Sequence, residues 1–367
     1  MKKLLLVLIG TLTLSACSSQ KDEATVYFTD QITPEGFMKI YQTISDNLEG
    51  KVGVKVHFGE EGNTYYVKPE LFKNIVLDCK GTFIETNVLY KSPRQQTSSH
   101  IALAKSHGFT YAPIDILDAQ GELAIENVDN CQHYKKFFVG KNLDSYNSFL
   151  IISHFKGHGS SGFGGAIKNI SMGFATPKGK LAMHRNNFPV CDKKRCINCD
   201  SCAIQCPVNA IKTNPFTLDV EKCIGCGKCI EVCPNDALRY PREKEDMQTI
   251  FCERLVEYAK AIHDRYKKMV YINVLVDIST SCDCSRNPGK PFVPNIGILA
   301  STDIVAIEKA SHDLVAKAHH CADPFLAASN ASGLRQIEYA YSLGLGQKNY
   351  RLINIDTNET TTVKTKL

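Results

Sequence analysis

The chain is 367 residues long, 43% hydrophobic and 22% charged, with a formal net charge of +5 and 16 cysteines. This length provides ample core for one large or two medium domains. The charge is modest and dispersed, and the absence of a basic stripe or aromatic platform argues for no nucleic acid among the partners.

At the N-terminus, Lys2 and Lys3 precede an apolar run over residues 4–14, and Ser15-Ala16-Cys17 follows it. A basic start, a short apolar stretch and small residues before a cysteine form the pattern of an export signal. The run is short for a spanning helix. Leu14-Ser15-Ala16-Cys17 resembles a bacterial lipobox, which implies a signal over 1–17, acylation of Cys17 and a polar tether over 18–24. The expectation is a lipoprotein, held to a membrane through its lipid anchor on the periplasmic or cell-surface side.

Strand and helix character then alternate through residues 25–188. Residues 24–29 and 51–58 are rich in β-formers, and between them Phe37, Ile40, Tyr41, Ile44 and Leu48 recur at helical period behind Pro34. A proline suits the first helical turn. The spacing predicts further helices over 69–79 and 98–107 and strands over 82–86, 112–116 and 149–153. Such alternation implies parallel βαβ units.

The stretch 153–169 interleaves glycines with His154, Lys156, His158 and Lys168. Glycines cluster where a chain turns tightly or approaches a ligand closely. A strand, a glycine-rich loop and a helix starting near Gly165 form an anion-binding geometry, in which Lys168 would neutralise a phosphate or carboxylate. The stretch matches neither the Walker pattern nor GxGxxG, and a plain surface loop is the alternative. The four side chains are read as candidate catalytic or ligand contacts.

Two copies of one cysteine spacing come next: Cys196-x2-Cys199-x2-Cys202-x3-Cys206-Pro207 and Cys223-x2-Cys226-x2-Cys229-x3-Cys233-Pro234. This is the signature of bacterial ferredoxins. Three cysteines at that spacing let one tight loop wrap an iron–sulfur cubane, and the last cysteine of each run ligates the other cluster. The expected sets are Cys196, Cys199 and Cys202 with Cys233, and Cys223, Cys226 and Cys229 with Cys206. Zinc sites use pairs of Cys-x2-Cys rather than a triplet closed by x3-Cys-Pro. The reading is two [4Fe–4S] clusters in a module over 189–240. Such clusters are built in a reducing compartment, whereas the export signal points to an oxidising one; an anaerobic bacterial host reconciles the two.

Alternation resumes over 241–355, with a helix over 247–268, a strand over 269–278, a helix over 303–318 capped by Asp303, and a closing edge at 350–355. Residues 356–367 read as a polar tail, and His133, His263, His312, His319 and His320 as surface histidines. Cys282-Asp283-Cys284 follows the most apolar strand. Two thiolates one residue apart chelate a metal, form a redox-active disulfide, or simply sit in a turn. Spacing leaves all three open, and His184 and Cys191 are candidates to join a metal there. The expected fold class is α/β: a discontinuous domain with a mainly parallel sheet, interrupted by a ferredoxin-like α+β two-cluster module.

His154-Phe155-Lys156-Gly157-His158, residues 162–169, Met172-Gly173, Gly179-Lys180 and His184 together resemble the domain of unknown function 362 family. Residues 55–60, 86–90, Arg94, His100, Cys282-Asp283-Cys284 and 294–303 extend the resemblance over roughly 26–355. It implies an architecture but no assured reaction. Residues 162–168 also loosely resemble the lysine-bearing loops of nickel-dependent lactate racemases, in which a lysine touches an organometallic cofactor. The rest of that family's pattern is lacking, so this is analogy alone.

The expected function is a membrane-tethered iron–sulfur redox protein, of iron–sulfur oxidoreductase type. Its clusters would pass single electrons between an unidentified donor or acceptor protein and a site in the α/β domain, where an additional metal or anionic ligand would bind. The alternatives are a binding or assembly module with structural clusters, and a metal-assisted non-redox enzyme.

Overall fold

The computed structural model describes residues 23–185, 188–239 and 245–364. The export signal, Cys17 and most of the tether therefore lie outside the described residues.

Nine strands form one sheet: β1 (Ala24–Thr29), β2 (Val52–Lys55), β3 (Thr82–Glu85), β4 (Ile114–Ile116), β5 (Ser148–His154), β6 (Met269–Leu275), β7 (Gly297–Ser301), β8 (Tyr350–Asn354) and β9 (Thr360–Val363). Their spatial order is β9-β8-β1-β7-β6-β5-β2-β3-β4. Pairing is parallel from β6 through β5, β2 and β3 to β4, and again between β1 and β8. It turns antiparallel where β7 lies between β1 and β6, and at β9. The architecture is mixed α/β with a large, mostly parallel sheet.

Strands β5 and β6 are buried at every position, as expected for a sheet covered on both faces. Their side chains alternate between two cores. Phe149, Ile151, Met269 and Tyr271 face one, and Leu150, Ile152, Val270 and Ile272 the other. The first face is covered by α4 (Ala166–Phe174), α5 (Pro177–His184), α6 (Glu245–Arg265), α7 (Ile304–His319) and the helix Leu334–Ser342, the second by α1 (Pro34–Tyr41), α2 (Lys73–Asp78) and α3 (Thr97–Ser106). Asp303 caps α7 as read, accepting from the N–H groups of Val305 and Ala306 at 3.0 and 2.8 Å, which satisfies two otherwise orphaned donors.

Several expectations need correction. The helices placed over 34–48 and 69–79 each contain a 3-10 turn and a shorter α-helix. The expected polar tail contains β9, whose residues pair with β8 and cover its outer edge; threonines on an exposed strand carry no apolar alternation to betray it. His312 is 2% exposed rather than superficial, because α7 is buried along much of its length.

Strands β5 and β6 are direct parallel neighbours, with Phe149 opposite Met269, yet the whole cysteine-rich segment lies between them in sequence. That segment has little regular structure. It contains the two-residue pairs Val190–Cys191 with Leu238–Arg239 and Ile211–Lys212 with Thr217–Leu218, and the short helices Ser201–Ile204 and Lys228–Glu231. Its two halves repeat in backbone as well as in sequence. Left-handed φ angles fall at Asn198, Asp200 and Asn209 in one half and at Gly225, Gly227 and Asp236 in the other, at matching distances from the first cysteine of each run.

Candidate functional site

The sheet delivers the chemistry at the C-terminal ends of its parallel strands. Lys55 ends β2, Glu85 ends β3, His154 ends β5, and the chain leaving β6 carries Cys282-Asp283-Cys284. Open parallel sheets bind ligands outside these ends. Here the four ends line one cavity.

The cavity is cationic. Lys55, Arg94, Lys156, Lys168 and Lys180 line it against two carboxylates, Glu85 and Asp283. Glu85 is shared between Lys55 at 3.1 Å and Arg94 at 3.5 Å. Burial alone would raise its carboxyl, but these two cations hold it well below the usual carboxylate range. Lys55 reaches this position only because residue 173 is glycine: a Cβ there would meet Lys55 Cε at 2.0 Å. Arg94 also contacts His57 Nε2 at 3.0 Å and His100 Nε2 at 3.3 Å. Lys180 is committed to Thr86 Oγ1, the Asn87 carbonyl and the Ala175 carbonyl at 2.5, 2.6 and 3.0 Å.

The glycine-rich stretch is a buried hairpin, Lys156–His158 against Gly162–Gly164, and not a surface loop. It brings all four of its predicted side chains to the cavity, in unequal roles. His154 Nδ1 meets Asp283 at 3.1 Å while its Nε2 donates to the Val276 carbonyl at 2.6 Å. Lys156 pairs with the same Asp283 carboxylate. Burial would raise Asp283, and Lys156 with His154 holds it far below the ordinary range. His158 Nδ1 accepts from the backbone N–H groups of Ser160 and Ser161 at 3.3 and 3.2 Å. Burial, with Lys168 adding to it, keeps this ring neutral well below its usual pKa.

The expected anion site at the start of α4 is already filled. The Glu308 carboxylate accepts from the Ala166 N–H, and a Cβ on Gly165 would meet Glu308 Oε1 at 2.2 Å. The helix N-terminus is therefore occupied by the protein's own carboxyl group, whose pKa burial raises to about 7. Lys168, one turn further, has no hydrogen-bond acceptor among the described residues and lines the cavity. Burial and the charges of Lys156 and Arg94, opposed by Asp283, lower its pKa to about 8.

Cys282 and Cys284 are joined to each other, with Cα atoms 5.3 Å apart. They and His158 offer ligand-type atoms that lie within 4.8 Å of one another. Cys191 is not part of this group. His184 lines the same cavity.

The cysteines of the repeated motif line two cavities. Cys196, Cys199, Cys202 and Cys233 line one, and Cys223, Cys226, Cys229 and Cys206 line the other. Backbone N–H groups point at sulfur in both, from Ala237 to Cys233 and from Ala210 to Cys206, each at 3.2 Å. The two cavities differ in setting. Cys199 is exposed in a cavity that Ile197 also lines, whereas Cys226 also lines the cationic cavity.

Sequence reasoning did not single out Glu85 or assign Asp283 its ionic role. The available signal was a lone acid closing the apolar strand Thr82–Glu85 and a lone lysine closing Val52–Lys55; charges at the ends of buried strands need partners.

Residues 52–313 match the family described as domain of unknown function (DUF362), and the chain belongs to that family. Among solved structures, the lactate racemase apoprotein from Thermoanaerobacterium thermosaccharolyticum aligns at 12% identity and a TM-score of 0.37, covering 68% of this chain and 51% of that one. A Thermotoga maritima protein from a structural genomics consortium aligns at 11% identity and a TM-score of 0.38, covering 85% and 60%. The chain thus spans less than two thirds of either structure's length. No curated protein matches.

Proposed function

We propose that this DUF362 chain is an iron–sulfur redox protein that delivers electrons to a small anionic ligand in the cationic cavity. One observation carries the reading: Cys226 belongs to a four-cysteine cavity of ferredoxin spacing and also lines the cavity of Lys168, His154, Lys156 and His158. The cysteine sets fit two [4Fe–4S] clusters in ligand number, crossed order and N–H donation to sulfur. Bound there, the clusters supply one-electron transfer. The first set includes the exposed Cys199, and Ile197, 58% exposed, lines the same cavity, which supports docking of a donor or acceptor protein on that side.

In the cavity, Lys168, which has no hydrogen-bond acceptor among the described residues, supplies a positive charge for a carboxylate or phosphate. Asp283 orients His154 and Lys156, and the buried walls exclude water around the ligand. The reading extends to an acylated Cys17 as membrane anchor, with the α/β part split around an inserted module over 189–240.

Anaerobically purified protein should carry about eight iron atoms per chain as two cubanes, and dithionite should reduce them reversibly. Replacing Cys206 should disturb the cluster held by Cys223, Cys226 and Cys229. Tetrahedral zinc without iron overturns the assignment, and clusters that resist reversible reduction leave only a structural role. Intact mass of membrane-extracted protein should lack residues 1–16 and carry acyl chains on Cys17.

A further inference from the structure

We propose that Cys282 and Cys284 form a redox-active dithiol–disulfide pair that stores two electrons at the wall of the cationic cavity. The proposal rests on the electron-delivery reading above for the source of its electrons, but its chemistry is independent of that reading.

The pair is a poor structural cross-link. Its sequence separation is 2, and a disulfide that closes so short a loop removes little entropy from the unfolded chain. The tertiary contacts already hold the loop without it. Asp283 is bound through its carboxylate to His154 and Lys156, and its carbonyl accepts from the Glu60 N–H at 3.0 Å. The Ser285 N–H donates to the Cys282 carbonyl at 2.9 Å, and Asn63 donates to the Ser285 carbonyl at 2.9 Å. The backbone on both sides of the pair is therefore fixed, and the sulfurs can separate and rejoin without rebuilding the loop.

The surroundings suit redox chemistry better than a metal. His158 brings a ring nitrogen within 4.8 Å of both sulfurs. Two fixed backbone N–H donors point at its Nδ1, so in the neutral ring the proton sits on Nε2. Neither nitrogen then offers the free lone pair that a metal needs, whereas an Nε2–H can donate a hydrogen bond to a nearby thiolate. Lys168 and Arg94 line the same cavity, and neighbouring cations favour thiolates, the reactive form in exchange.

The step balances as one two-electron couple. The S–S bond breaks as two electrons and two protons enter, leaving two thiols. A low-potential one-electron donor protein supplies the electrons in two single transfers and is oxidised twice, and the protons come from solvent. Reversal passes two electrons and two protons to an anionic two-electron acceptor in the cavity.

The test uses the full chain with its iron, kept anaerobic and equilibrated across mixtures of reduced and oxidised dithiothreitol. Rapid alkylation and mass analysis of the peptide containing residues 282–284 should reveal one two-electron transition, from no alkyl groups to two. Cys284→Ser should abolish the transition, with iron content unchanged. Thiols at every poise would overturn the proposal. So would a stoichiometric metal that shields both thiols until a chelator is added. Thiol exchange requires no cluster, so a titrating pair in iron-free protein would sink the electron-delivery reading alone. Reducible clusters beside an inert pair would sink this inference alone.

Discussion

The α/β part and the cysteine-rich segment solve the folding problem in opposite ways. The former buries two continuous apolar layers against the faces of a nine-stranded sheet. The latter has a core of Cys206, Ala210, Ile211, Cys229 and Leu238, of which two are proposed ligands, and its regular elements are two to four residues long. A segment that small does not hold together on apolar burial alone. Metal binding can supply the missing folding free energy, so one region should fold by excluding water and the other by holding iron.

The largest effect expected from this contrast comes from iron removal. Chelation under anaerobic conditions should open residues 189–239 to protease while the α/β part keeps a cooperative unfolding transition. Equal protease resistance with and without iron would break the comparison.

A smaller but still large effect is expected from Glu85→Ala, which leaves Lys55 and Arg94 buried without their shared carboxylate. Breaking a buried pair in this way costs about 3–5 kcal/mol, measurable as a lower urea midpoint. Iron content should be retained if the two regions fold as described.

Lys168→Ala should lower affinity for phosphate or a small carboxylate at least tenfold, judged as the loss of one charge-assisted contact, without lowering stability, because it removes a charge that burial disfavours. Calorimetric titration with inorganic phosphate and a denaturant curve measure the two. Unchanged binding would reduce the lysine to part of the wall.

The subtlest effect is in pH. The Lys168 ammonium is lost as pH rises through about 8, so anion affinity should fall across that value. Stability should move the other way. The folded pKa lies below the ordinary lysine value, so the unfolded chain binds more protons between about 8 and 10.5, and the lysine's contribution to stability rises with pH in that window. Lys180 is also lowered to about 8 by burial, and it adds to the stability trend. Its ammonium is already committed to Thr86, Asn87 and Ala175, so it should add little to the affinity trend. Lys156, Arg94, Asp283 and Glu85 also act on Lys168, together with the neighbouring His158 and His184. Affinity independent of pH between 7 and 9 would remove Lys168 as the anion's partner.

The periodicity of the sequence was sufficient for the alternation of strand and helix, because burial on both faces demands apolar runs such as those of β5 and β6. The spacing also marked the eight motif cysteines, which the fold places around two cavities. Chain order did not reveal that β7 enters antiparallel between β1 and β6, or that 360–363 forms an edge strand, because neither carries a periodic apolar signal. The site was legible by halves. Glycines, histidines and lysines marked 153–169, but only the tertiary structure decided which charges were already used. Glu308 fills the start of α4 from 142 residues away, and Asp283 reaches Lys156 across 127. Local sequence carries no information on such partners. They are set by which strand ends the sheet brings together, and that is what leaves Lys168 without an acceptor among the described residues and lets Cys226 line the same cavity.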